Sequence, residues 1–244
     1  MLRHAVLCTL ILGSQATAIH AWQEQANTRI YVALYNIKYS DIPQWVASYN
    51  AVDVPILDAL VADGTINAYN MLMHHTGGEY TIRQGLIGDD DTNFDAAWED
   101  YLSRVTAASP AANEQRGRMI LAHADEIWDL NVTNLPPEGA TTQYAYEIFF
   151  QVSFADMERW NGLWADDLLP VLDQSMRDGL LQGYVVQGHN TGGPFNWKVL
   201  LLYDEWDDFD ELEAGFFGAA PLDHPLWTIP MAHRDELWQA LPVM

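Results

Sequence analysis

The chain repeats itself. Sliding it by 115 positions aligns residues 41–102 with 156–217 without a gap, and sixteen of those 62 positions are identical. The shared residues include Asp41/Asp156, Trp45/Trp160, Pro55/Pro170, Tyr69/Tyr184 and a His-x-Thr-Gly-Gly motif, at His74 to Gly78 and again at His189 to Gly193. A second block, Ala122-His123-Ala124-Asp125-Glu126-Ile127-Trp128, matches Ala232-His233-Arg234-Asp235-Glu236-Leu237-Trp238 at an offset of 110, so the loop before it is five residues shorter in the second copy. Self-similarity of this kind means that one supersecondary unit is built twice, and any fold must seat both.

Each copy reads as the same series of elements. β-Branched and aromatic runs at 30–39 and 146–154 predict strands. Asp41 and Asp156 stand where helices start, and Asp63-Gly64 and Asp178-Gly179 supply the glycine that ends them. Pro55 and Pro170 fall inside those helices, so a kink or break is expected one turn earlier. Second and third strands follow at 65–75 and 80–87, and at 180–190 and 195–203, joined by the Gly-Gly turn. Helices at 93–107 and 208–217 come next, and the His-x-Asp-Glu-x-Trp blocks lead into a short fourth strand. Segments 107–115 and 131–142 have loop composition, which puts the boundary near residue 137, between units 19–136 and 137–244.

The order is β-α-β-β-α-β twice, the ferredoxin-like unit, and the fold class expected is α+β. One such sheet has a bare face that its own helices cannot cover. The arrangement resembles the dimeric α+β barrel superfamily in its single-chain, tandem version, with two sheets closed around a central space under a pseudo-twofold axis. That superfamily includes cofactor-independent monooxygenases, polyketide cyclases, lactone isomerases and haem-dependent enzymes of the chlorite dismutase and dye-decolourising groups. The resemblance therefore implies a cavity for a small apolar or aromatic molecule and leaves the chemistry open.

Three properties narrow the setting. The first eighteen residues have a basic start, an apolar stretch and a small-residue end at Ala16-Thr17-Ala18, the layout of a secretory signal peptide, so export to a periplasm or medium is expected. The single cysteine, Cys8, lies inside that leader, which leaves the mature chain without thiol chemistry or disulfides. A formal charge of −23 argues against a nucleic-acid partner, and no segment is apolar for long enough to span a membrane.

The candidate site residues follow from the repeat. His74 and His189, at strand ends beside two-glycine turns, are the candidates for acid–base work; the alternative is that each imidazole bonds its own turn. His123 and His233, each with an Asp and a Glu close by, could orient a proton or hold a divalent ion, or could belong to caps. Arg83 and Lys198 are matched cations that must find a carboxylate or an anionic ligand, and Tyr69 and Tyr184 would help line a cavity. Which strand face looks inward is undecided, because both faces are largely apolar. The functions in view are a cofactor-independent oxygenase, isomerase or cyclase, a noncatalytic carrier, and a haem- or metal-dependent enzyme; the sequence identifies no cofactor. P-loop, dinucleotide-binding and HExxH motifs are absent.

Overall fold

Strand alternation sorts the side chains into layers. A computed structural model describes residues 28–135 and 142–241. In it β1 (Thr28–Asn36), β2 (Ala68–Gly77), β3 (Ile82–Asp89), β4 (Ala122–Asn134), β5 (Tyr144–Gln151), β6 (Gly183–Thr191), β7 (Trp197–Tyr203) and β8 (Ala232–Ala240) form one closed antiparallel barrel. The order around the ring is β1-β3-β2-β8-β5-β7-β6-β4. Ile30, Val32 and Leu34 of β1 face the interior with Trp128, Phe149, Val185 and Trp238, while Tyr31, Ala33 and Tyr35 face the helices. The face left open by sequence is thereby settled for β2: Leu72 packs with the interior cluster, and Tyr69, Met71 and Met73 pack toward the helices.

The pairing registers carry the repeat. Tyr31 opposes Leu86 as Tyr146 opposes Leu201, and Tyr35 opposes His123 as Phe150 opposes His233. Across the two seams His74 opposes Trp238, and Trp128 opposes His189. Each seam joins one half to the other.

Helices cover the outside of the ring. On the first half lie α1 (Ile42–Ser48), α2 (Val54–Ala62), α3 (Phe94–Ala108) and α4 (Pro110–Met119); on the second, α5 (Met157–Leu163), α6 (Leu169–Asp178), α7 (Asp208–Ala219) and the single turn α8 (Pro225–Thr228). The expected kinks take a definite form. Pro55 and Pro170 cannot donate to the preceding turn, and the chain answers with π-helical turns, Tyr49–Asp53 and Trp164–Leu168, immediately before α2 and α6. Each of these turns carries a fully buried side chain, Asp53 in the first half and Leu168 in the second.

Three expectations need correction. The predicted loop at 107–115 is largely helical, because Ser109 accepts from the Ala112 amide as a cap and Pro110 occupies a first-turn position that needs no N–H. The fourth strands are not short, and the histidine blocks do not precede them: His123 and His233 sit within β4 and β8. The space between the sheets is filled rather than hollow, with Trp128 and Trp238 fully buried in it. The expected leader and the expected boundary near residue 137 lie outside the described residues.

Candidate functional site

The paired motifs of the sequence meet at the seams. The His74 hairpin lies on Asp235 and Glu236 of β8, and the His189 hairpin lies on Asp125 and Glu126 of β4. Gly77 and Gly192 have φ near +81° and +88°, and a Cβ on either would intrude on the carbonyl of Asp235 or Asp125. Only glycine satisfies both demands. The His74 Nε2–H donates to the Gly77 carbonyl while Nδ1 accepts from the Tyr39 hydroxyl at 2.6 Å. His189 Nε2 donates to the Gly192 carbonyl at 2.5 Å. Each imidazole also lies edge-on to a buried indole, Trp238 or Trp128.

Arg83 and Lys198 point inward and share one acid. The Glu147 carboxylate lies 3.2 Å from Arg83 and 3.1 Å from Lys198, and all three are essentially inaccessible to solvent. Burial alone would lift the Glu147 carboxyl, but the two cations outweigh it and hold it below the usual range. Burial pushes the Lys198 ammonium down against the opposing pull of Glu147, and the ammonium sits 4.4 Å above the Trp128 ring. This cluster ties β3 of the first half to β5 and β7 of the second. Tyr69 and Tyr184 each donate to a carboxylate on the covering helix, Asp58 and Asp173, at 2.7 Å.

A hollow lies elsewhere, between the helix-facing side of β5 and β8 and the helices of the second half. It measures about 400 Å³, within the range of small-molecule sites. Its walls are apolar: Ile148, Phe150, Trp164, Leu168, Leu212 and Phe216, with Phe217, Leu222 and Met231 toward the opening. The polar lining is Tyr146, Glu213, His233 and Asp235. Tyr146, His233 and Asp235 meet at this polar end, with His233 Nε2 standing 3.8 Å from the Asp235 carboxylate. Burial raises the Asp235 carboxyl above its ordinary value, with His233 and Tyr146 opposing. A second hollow of about 270 Å³ shares Tyr146, Phe209 and Asp235 and reaches Thr76 and Gly77 of the first half. Of the residues singled out by sequence, His233 lines the larger hollow; His74, His189, His123, Tyr69, Tyr184, Arg83 and Lys198 do not.

The corresponding place in the first half is occupied. Arg116, delivered by α4, pairs with the buried Asp53 carboxylate, Tyr101 donates to the same oxygen, and Arg116 lies 5.9 Å from the Trp45 ring. Burial pushes the Asp53 carboxyl up, while Arg116 and Tyr101 pull it down. Trp98 fills the remaining space, 5.3 Å from Tyr31 and 5.1 Å from Tyr101. At the matching positions the second half has Leu168 for Asp53, Phe216 for Tyr101 and Glu213 for Trp98, and its shorter loop has no α4. Sequence reasoning found the His233 and Asp235 end of the hollow but missed its apolar walls, whose signal was in these unmatched columns of the repeat.

No protein-family model and no curated protein matches this chain. Solved structures do. A provisionally assigned monooxygenase from Fusobacterium nucleatum superposes with a TM-score of 0.61 at 11% identity, over 89% of this chain and 94% of that one. The fold is an α+β barrel of that kind. An anthrone oxidase-like protein matches the barrel with a TM-score of 0.56 at 9% identity, covering 90% of this chain and 93% of the other. A chlorite dismutase variant from Candidatus Nitrospira defluvii gives 0.54 at 9% identity, over 90% and 93%.

Haem does not fit the hollow. Its two carboxylates would meet a lining that contains Glu213 and Asp235 and no Lys or Arg. The one imidazole of the lining, His233, is 66% exposed and turned to Asp235. Among the described residues no group of three or more His, Cys, Asp or Glu side chains is placed to hold a metal ion.

Proposed function

We propose that this protein is an exported, duplicated ferredoxin-like barrel that binds a small, largely aromatic molecule in the second-half hollow. The observation that carries the reading is the contrast between halves: Asp53, Arg116, Tyr101 and Trp98 fill the first, and Leu168, Phe216 and Glu213 leave the second open. Names of the neighbours, a provisional monooxygenase and an anthrone oxidase-like protein, support an aromatic carbon acid as substrate.

At the polar end, Asp235 and His233 are placed to take a proton from such a substrate, with Tyr146 beside them in the lining. The resulting carbanion passes its electrons to dioxygen, which is the oxidant; for anthrone the balance is one dioxygen consumed per anthraquinone and water formed. In this reading the acid–base role moves from His74 and His189 to His233 and Asp235, and the two hairpin histidines serve as turn locks.

The test is oxygen uptake and product analysis with anthrone, beside the Glu213→Trp variant. A tryptophan there reproduces the position of Trp98, so the variant should keep its fold by circular dichroism and lose ligand binding. Unchanged binding in Glu213→Trp overturns the reading. Binding of anthrone without turnover, equal in His233→Ala, leaves the protein a carrier.

A further inference from the structure

The lining of the hollow is one-sided in charge. Its ionisable groups are two carboxylates, Glu213 from α7 and Asp235 from β8, together with the Tyr146 phenol and the His233 imidazole. Burial raises the Tyr146 hydroxyl first, and the charges of Asp235 and Glu213 then add to it, so both carboxylates act on the same polar end of the site. The nearest cation in sequence, Arg234, points the other way: its guanidinium lies 4.5 Å over Phe149 and pairs with Glu236 at 3.0 Å inside the barrel. The hollow thus faces acids, and the chain around it carries −23.

We infer that the site selects by charge, admitting uncharged aromatic molecules and rejecting those that bear a carboxylate, sulfonate or other fixed anion. This rests on the proposed binding role of the hollow and adds the class of ligand it takes. An anion entering here would leave water for a wall that offers no counter-charge. His233 does not supply one, since its ring is 66% exposed and lies against Asp235 at 3.8 Å. A neutral molecule of the same shape meets the apolar wall of Ile148, Phe150, Leu212 and Phe216 without that cost.

Two fluorescent probes with one skeleton make the comparison. N-Phenyl-1-naphthylamine is uncharged, and 8-anilinonaphthalene-1-sulfonate is the same framework with a sulfonate. The full chain should bind the neutral probe at least about tenfold more tightly, a gap of about 1.4 kcal/mol. Glu213→Gln should narrow the gap, and Glu213→Gln with Asp235→Asn should narrow it further, through tighter binding of the sulfonate. Equal affinities for both probes, both lost in Glu213→Trp, overturn the charge selection and leave the binding site standing. Failure of either probe to bind, or binding indifferent to Glu213→Trp, overturns the binding role and the selection with it.

Discussion

Glu236 offers a direct test of the filled interior. Its side chain is 2% exposed, lies against Gly78 and pairs with Arg234 at 3.0 Å. Burial, followed by the nearby charge of Glu147, pushes its carboxyl from 4.5 up to about 7, with Arg234 and Lys198 counteracting. Below pH 4.5 the group is protonated both folded and unfolded, and its contribution is intact. Between 4.5 and about 7 the unfolded chain has released the proton that the native state still holds, so stability falls as pH rises. That rise of the carboxyl is worth about 3 kcal/mol, at about 1.4 kcal/mol per pH unit. Glu236→Gln keeps the shape and an acceptor for Arg234 and removes the titration. Urea unfolding of both proteins at pH 4.5, 6 and 8 and constant ionic strength isolates the effect, because every other group titrates in both. The variant should gain about 3 kcal/mol on wild type between pH 4.5 and pH 8. A difference between the two proteins that stays constant with pH would refute the account of an acid held in a dry, crowded barrel.

Further outcomes follow from the same contacts. Asp53→Asn strands the Arg116 charge and should cost about 3–5 kcal/mol by urea unfolding, whereas Glu114→Gln, whose partner Arg118 is exposed, should cost less than about 0.5 kcal/mol. Gly77→Ala and Gly192→Ala should each destabilise by at least about 2 kcal/mol more than Gly64→Ala, since all three have positive φ but only the seam glycines meet a carbonyl. His74→Gln should lower stability by about 1–2 kcal/mol through its hairpin bonds and leave the affinity of the neutral probe unchanged in a fluorescence titration.

Much of this architecture was legible because repetition and glycine leave local marks. The 115-residue offset reappears in the pairing registers, and the Gly-Gly turns and the two prolines point to hairpins and kinks found where expected. The α4 helix was hidden because its polar sequence, Ala111 to Arg118, lacks an apolar stripe, and Ser109-Pro110 reads equally as a turn. Inward and outward faces could not be told apart because helices and a second sheet demand apolar side chains alike. The walls of the site were hidden for a subtler reason. Matched residues such as His74 and His189 mark what both halves need in order to close; the polar end of the hollow, His233 and Asp235, is matched too, by His123 and Asp125, so what opens the pocket in one half alone is written in what differs, such as Trp98 against Glu213.

The ring of eight strands carries one more consequence. Among the described residues every strand has a hydrogen-bonded neighbour on each side, so none of these strands leaves a backbone row open for a foreign peptide or a sister molecule to extend. Assembly through the described residues must use side chains on the helical coat and loops, and growth into fibrils by edge addition to these strands would first require the ring to be torn open.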